Sequence, residues 1–371
     1  MVGDNNLRSL LEGRLVDLEE FRMSGKSEQS IDIFCTVSSI AADAGYDAYL
    51  TPIRHFGEVC VFGVVVSSQK QISMVIEVFR HLVTGFIFDA EKKLDAQYSG
   101  GFVGNSVAKP LELEYGNLNG YARRYVRPEQ FFEFKANDTT ADSIWYFLTQ
   151  KYPGLIAGKK IAVLGAGNLG LKVGLKVLES GATVRLYRRD FNKGVAAANF
   201  MNILKPRGTL ANASAVSRPL EAIIDCDIVI CCGPVGTVLI DKFLAAAIKH
   251  DALVLDVGRG NLSPEAIADL RTKRVKIFRG DVTAGLIGLV ESIRVQSQVF
   301  NKMMGTRSIT SELTVGSGGE LFEDGVFVVD DYASPRVIFG VADGAGRFRE
   351  PTDTEKKVIE RFYQRVREQK I

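Results

Sequence analysis

The sequence predicts an α/β protein in which an N-terminal α/β domain precedes a doubly wound parallel sheet, with a C-terminal extension after it. Three observations carry this expectation. Residues 159–190 read as strand, glycine turn, helix and second strand. Two further apolar runs, 227–233 and 253–258, each end in glycine, as buried parallel strands commonly do. An independent succession of helical and strand-like patterns occupies the first ninety or so residues.

In the central stretch, Ile161 to Leu164 form a short apolar strand behind Lys159 and Lys160. It runs into Gly165-Ala166-Gly167-Asn168-Leu169-Gly170. In such a turn the first glycine bends the chain, the second lets backbone approach a pyrophosphate, and the third brings the helix close to the sheet. The anion then meets the amino end of a helix, where free N–H groups and the dipole favour negative charge. Leu171, Leu175 and Leu178 keep helical spacing, Gly181 stops the helix, and Thr183 to Tyr187 supply the second strand of a Rossmann-type unit. These six turn residues are the first candidates for cofactor binding.

The end of the second strand bears on which dinucleotide is held. An acid there accepts hydrogen bonds from the ribose of NAD, whereas a guanidinium matches the 2′-phosphate of NADP. The chain reads Tyr187-Arg188-Arg189, with Asp190 late for the ribose role and Lys193 adding positive charge. NADP (NADPH) is therefore the expected cofactor, with Arg188 and Arg189 as its contacts. The bland alternative is two arginines on a solvated strand end.

From the start of the chain, 371 residues with 46% apolar composition suffice for two domains. A net charge of +2 shows no nucleic-acid footprint. The first residues lack an apolar signal core, and the longest apolar run, Val59 to Val66, is far too short to cross a bilayer. Five cysteines without a CxxC suggest a reducing compartment, so a cytoplasmic location is expected. His55, His81 and His250 lack metal-ligand spacing, and no metal is expected.

Leucines 7, 10, 11, 15 and 18 predict a helix over 5–24, and a second helix is expected over 28–44, ending at Gly45. Strands are expected at 46–53 and 59–66, a helix at 69–82 and a strand at Gly85. Residues 95–127 read only as loops and short strands. They contain Arg123, Arg124 and Arg127 between Tyr121 and Tyr125, which suits either a substrate anion or a solvated basic face. A helix follows, capped by Asp138 or Thr139 and turning Ile144, Phe147 and Leu148 inward.

A first domain, a linker helix opening on Asn137-Asp138-Thr139 and a late Rossmann unit form an order that resembles the shikimate dehydrogenase group. Its relatives include the methylene-tetrahydrofolate and amino-acid dehydrogenases. The resemblance covers about residues 136–305. In that family an NTD signature supplies an aspartate that pairs with a lysine from a GxNVTxPxK segment for proton transfer. The resemblance thus implies Asp138 as a catalytic residue, together with Lys92 or Lys93, whose segment lacks the asparagine, threonine and proline. The family's Ser-x-Ser substrate motif is not visible, although Ser38 and Ser39 lie in the corresponding region. Chemically, such a dyad can deliver a proton as hydride reaches a carbonyl or imine. Asp138 as a helix cap and the two lysines as surface charges remain the alternatives.

Beyond the second strand, a helix at 193–205, a strand at 213–217, the two apolar runs named above and a sixth strand at 275–278 continue the sheet. Ligands in doubly wound sheets bind beyond the carboxyl ends of strands, so Gly233, Pro234, Val235, Gly258 and Arg259 are expected to border the nicotinamide half of the cofactor. Cys231 and Cys232 read as core residues, and Asp256 as an anchor for local turns. The long helix from Gly285 resembles the family's closing helix, whose glutamine reaches substrate; Gln296 and Gln298 are the candidates. Residues 306–371 add strands at 326–329 and 336–341 and a charged helix at 354–370, which could complete the first sheet, cover the cleft or build a dimer contact.

The expected domains are 1–136 for substrate, 137–285 for the dinucleotide, and 286–371 returning to the first. The expected activity is NADP-dependent hydride transfer to or from a small carbonyl, alcohol or imine in the interdomain cleft, by a homodimer with no nucleic-acid or membrane partner. A folate-type one-carbon dehydrogenase and a non-catalytic NADP-binding sensor or assembly partner are the alternatives.

Overall fold

A computed structural model describes residues 4–24, 31–39, 48–67, 70–91, 118–298 and 304–368. Helix α1 (Asp4–Ser24) leads into a six-stranded sheet made of β1 (Asp32–Ser39), β2 (Tyr49–Leu50), β3 (Arg54–Phe56), β4 (Val59–Val66), β5 (Gly85–Asp89) and β6 (Phe131–Phe134). Helices α2 (Lys70–Phe79) and α3 (Leu118–Ala122) connect its later strands. The order is β2-β4-β1-β5-β6 with β3 also on β4; β1, β4, β5 and β6 run parallel, and the two short strands run antiparallel to β4. Leu11 and Leu18 of α1 and Ile72, Val75 and Phe79 of α2 bury their apolar sides with Cys35, Phe62 and Phe86 of the sheet.

Two expectations fail here. The helix expected over 28–44 is a strand where the chain is described: every residue of β1 from Asp32 to Ser39 pairs with β4, and Phe34 to Val37 pair with β5 as well. A central parallel strand is buried on both faces and shows no period of two, so its apolar run is easily mistaken for a helix; Ile33, Phe34 and Val37 suit a pleated surface better. Of the strand expected over 46–53, the described residues keep only Tyr49 and Leu50, and Pro52 has no N–H to extend the ladder beyond them. Strand β6 was not anticipated at all.

The second sheet follows α4 (Ala136–Lys151). Its elements are β7 (Lys160–Leu164), α5 (Asn168–Glu179), β8 (Thr183–Tyr187), α6 (Phe191–Leu204), β9 (Ala213–Val216), α7 (Pro219–Ile223), β10 (Ile228–Cys231), α8 (Lys242–Ala247), β11 (Leu253–Asp256), α9 (Pro264–Thr272) and β12 (Lys276–Arg279), after which α10 (Thr283–Gln298) begins. All six strands are parallel in the order β12-β11-β10-β7-β8-β9. This is the doubly wound Rossmann arrangement, and the winding reverses between β7 and β10. Each face carries its own apolar layer, one around Val163, Val177 and Leu186 and the other around Leu164, Val229 and Leu270. Both sheets belong to one compact unit, residues 1–289.

The second unit, residues 290–371, has a sheet of its own, so the extension does not complete the first sheet. Strands β13 (Gly305–Thr310), β14 (Leu313–Ser317), β15 (Phe327–Val329), β16 (Ile338–Ala342) and β17 (Phe348–Arg349) pair in sequence order, antiparallel except between β14 and β15. Helix α11 (Asp353–Arg367) packs Val358 and Phe362 with Val315, Phe327 and Val341. It opens on a reciprocal cap between Thr352 and Glu355, and Arg349 grips both oxygens of Glu355 at 2.8 Å.

Candidate dinucleotide site

The glycine turn between β7 and α5 has one role per glycine. Gly165 takes a left-handed conformation (φ +90°), and a β-carbon there would lie 2.7 Å from the Cys232 carbonyl carbon. At Gly170 a β-carbon would come within 2.4 Å of the Gly165 carbonyl oxygen, so only glycine lets α5 approach the turn this closely. Gly167 faces open space, with no atom within 4 Å of an added β-carbon. The helix starting there has no side-chain cap and no acid in its first turn. Its first N–H groups, of Asn168, Leu169 and Gly170, make no hydrogen bond with the described residues. Such an end has the geometry and polarity to receive a diphosphate. At the far end, Gly181 N–H bonds to Leu178 and Ala182 N–H to Val177, a Schellman closure that stops α5 where the glycine sits.

At the end of β8, Arg188 Nη1 donates to the Ala166 carbonyl at 3.0 Å and so spans the turn, while Arg189 is exposed. Asp190 caps α6 by accepting from Lys193 N–H at 3.1 Å, and that bond and the nearby Lys193 ammonium hold its carboxyl below the usual range.

The loops after β10 and β11 interlock through Asn261, which the sequence reading missed. Fully buried, it accepts from Gly233 N–H at 3.0 Å and donates to the carbonyls of Pro234 and Thr237 at 2.9 and 2.8 Å. A β-carbon at Gly258 would sit 2.1 Å from the Asn261 side-chain oxygen and 2.2 Å from the Gly233 carbonyl oxygen. The signal was an asparagine directly after Gly258-Arg259-Gly260, where a polar residue at the end of an apolar strand needs partners. Asp256 accepts from the N–H groups of Gly260 and Asn261, the anchoring role expected of it. Val235 is about one-third exposed, and Arg259 adopts a left-handed backbone (φ +63°). Burial drives the Cys231 thiol well above its ordinary value and Cys232 up to about 12, so both stay protonated, Cys231 in the core and Cys232 half-buried against it.

Asp138 does not cap α4, which begins two residues earlier at Ala136. Its first N–H groups are met from the end of β5: Asp89 accepts from Ala136 at 3.3 Å and Glu91 from Asn137 at 3.2 Å. Asp138 instead pairs with a lysine that sequence reasoning did not single out, Lys172 on α5. Lys172 Nζ lies 2.6 Å from Asp138 Oδ1 and 2.6 Å from Glu91 Oε1. Burial opposes its charge, but hydrogen bonds to Asp138 and Glu91 outweigh this and raise Lys172 above its ordinary value. One turn further along the same two helices, Lys176 meets Asp142 at 2.7 Å. Lys92 and Lys93 lie outside the described residues, as do the side chains of Gln298 and its neighbours, while Gln296 is exposed on α10. Ser39 is buried at the end of β1, and its hydroxyl has no partner among the described residues. Of the basic cluster, Arg123 stacks over Phe131 at 5.2 Å and Arg127 bonds to Gln130.

No protein-family model matches the chain, and no curated protein matches it. Among solved structures it is similar to shikimate dehydrogenase from Aquifex aeolicus, with 16% identity over 74% of this chain and 99% of that one and a TM-score of 0.40. It is also similar to a shikimate dehydrogenase in complex with NADP+ (13% identity, 73% of this chain, 99% of that one, TM-score 0.38). A dipicolinate synthase from Bacillus halodurans is a third (14% identity, 73% of this chain, 97% of that one, TM-score 0.35). Likenesses at this level assign neither family nor activity. The chain's own geometry defines an α/β protein with a doubly wound sheet of dinucleotide-binding type.

Proposed function

We propose that the protein is an NADP-dependent oxidoreductase acting on a small carbonyl, alcohol or imine. The observation that carries this reading is Gly167, open to solvent before an uncapped α5, beside a β8 end that offers Arg188 and Arg189 and no idle acid. Gly165, Ala166, Gly167, Asn168, Leu169 and Gly170 would hold the diphosphate, the two arginines the 2′-phosphate, and Gly233, Pro234, Val235, Gly258 and Arg259 the nicotinamide half. When bound, the nicotinamide supplies or accepts the hydride. On this reading Asp138 moves the accompanying proton with Lys172 as its partner. A cytoplasmic location accords with five free cysteines; no helix among the described residues is long and apolar enough to cross a membrane.

The test is calorimetric titration with NADPH and NADH, repeated on Arg188→Ala and Arg189→Ala. Tighter NADPH binding that either substitution erases supports the reading. Absence of binding by both nucleotides would overturn it. Binding without turnover on any carbonyl or imine would favour a nucleotide-binding partner protein instead.

The homodimer belongs to the same proposal and is supported by α6. This helix is apolar on its outer side as well as its inner one: Phe200 is 60% exposed and Ile203 78%, with Val195 and Leu204 beside them. With Phe191 and Leu210 they expose on the order of 600 Å² of apolar surface, against about 800 Å² per partner in a standard interface. A second copy packed through this helix about a two-fold axis would cover it.

A further inference from the structure

Tyr125 and Arg127, from the basic cluster before β6, line a cleft of about 400 Å³ between the carboxyl ends of α2 and α3. Its floor is the edge of the first core, where Ile76, Phe86 and Val126 are buried. Its rim carries Arg80, His81, Tyr125 and Arg127, all exposed, with Gln130 half-buried beside them. Phe86 is the second residue of β5, so the cleft lies at the opposite end of that strand from Glu91, which meets α5 through Lys172.

The polar groups of the rim are set by their neighbours. Gln130 donates from Nε2 to the Val83 carbonyl at 3.0 Å and accepts from Arg127 Nε and Nη2 at 3.2 and 3.1 Å. One edge of that guanidinium is thus pinned, and its Nη1 makes no hydrogen bond with the described residues. Arg80 donates from Nε to His81 Nε2 at 3.0 Å, and its two Nη groups make no hydrogen bond with the described residues. An imidazole that accepts through Nε2 is uncharged. Of the acids on the segments that form the cleft, Glu77 pairs with Arg8 at 3.1 Å, and Glu129 meets Arg127 at 3.5 Å with 64% of its side chain in water, which screens it. The carboxyl end of α2 is closed as well, since the N–H groups of Leu82 and Val83 both bond to the Phe79 carbonyl. The mouth therefore stays positive above an apolar floor.

Guanidinium N–H groups over an apolar surface recognise an oxyanion carried on an apolar body. Tyr125 says which body. Its ring is 52% exposed beside the cleft, with the Tyr121 ring 5.2 Å away, and a further ring can lie against it. A volume of this size takes one aromatic ring with its head group rather than a dinucleotide. We propose that the cleft binds a small aromatic oxyanion, a carboxylate or a phosphate, whose head is held by Arg80 and Arg127 and whose ring rests on Ile76, Phe86 and Val126 beside Tyr125. The site belongs to the first sheet, whereas the glycine turn belongs to the second, so it does not depend on the nucleotide reading.

Benzoate and phenyl phosphate are titrated calorimetrically into the full chain at constant ionic strength. The controls are acetate, which has the charge without the ring, and benzyl alcohol, which has the ring without the charge. One of the aromatic anions should bind at least tenfold more tightly than either control, and the tighter of the two identifies the head group. Arg80→Gln and Arg127→Gln should each weaken that binding at least fivefold, Arg80→Lys less, and Tyr125→Ala at least threefold. Arg124→Gln, which removes an arginine outside the lining, should leave it within twofold. All four side chains are exposed, and an unchanged urea midpoint shows that each variant folds. If Arg127→Gln lowers the midpoint by freeing Gln130, Arg80→Gln alone decides. Heats equal to those of the controls, or a loss in Arg124→Gln as large as in Arg80→Gln, would overturn the site. So would competition by saturating NADP+, which would put the anion at the glycine turn.

Discussion

Lys172 Nζ lies equally close, 2.6 Å, to Asp138 on α4 and to Glu91 beyond β5, so one ammonium joins the two sheets' connecting segments. Glu91 is the more buried of the two carboxylates. Removing the lysine in Lys172→Met should destabilise the first unit by about 1–3 kcal/mol, because a shielded carboxylate loses its partner. The exposed Lys176–Asp142 pair is worth about 0.5 kcal/mol at most. Urea unfolding of both single variants separates these values.

The same pair has a pH signature. The folded Lys172 is raised above its unfolded value, so its contribution is fully present below the ordinary lysine range and is lost as pH rises through the raised value. The difference in urea midpoint between wild type and Lys172→Met should stay level from neutral pH to the ordinary lysine range and shrink above it. A difference that grows with alkaline pH would show the sign to be wrong.

For catalysis, Asp138→Asn is expected to lose most turnover while NADPH affinity stays within about twofold. Unchanged turnover would reduce Asp138 to a partner of Lys172 in holding α4 against α5.

The glycine turn separates folding from binding. Gly170→Ala places a methyl 2.4 Å from the Gly165 carbonyl and should cost about 1–3 kcal/mol of stability as well as nucleotide binding. Gly167→Ala meets no protein atom, so thermal stability should hold while NADPH binding falls at least tenfold. Equal binding by Gly167→Ala and wild type would mean that the open space is not where the diphosphate lies.

In the second unit, Arg349 and the Thr352 cap hold Glu355 down to about 2, its bond to Arg349 being the largest cause. A depressed carboxyl stabilises above its unfolded value and loses that effect as pH falls towards 2. Glu355→Gln should therefore destabilise by about 1 kcal/mol at neutral pH, and the difference should vanish near pH 2. Urea unfolding of wild type and Glu355→Gln, followed by far-ultraviolet circular dichroism across that range, measures it.

What the sequence made legible was local. The run from β7 to β8 could be read residue by residue because a left-handed glycine, a Schellman stop and a β-branched strand are each fixed by neighbours in the chain. What it hid was set by partners far away. β1 is a strand because β4 and β5 flank it, and β6 is four residues made regular only by pairing with β5. The start of α4 moved to Ala136 because its caps come from Asp89 and Glu91, more than forty residues earlier. Lys172 stayed unnoticed for the same reason, as did Asn261, whose partners lie beyond a different strand.

Arg188 and Asp190 both already have structural duties, one latching the glycine turn and the other starting α6. An acid introduced at 188 to welcome a bare ribose would also unlatch the turn, and the acid already at 190 cannot be borrowed without fraying a helix. If the proposed preference holds, drift towards the other nucleotide requires at least two coordinated substitutions, each of which first removes a bond that the turn or the helix uses. Descendants of this chain would then keep their coenzyme choice long after their substrates had diverged.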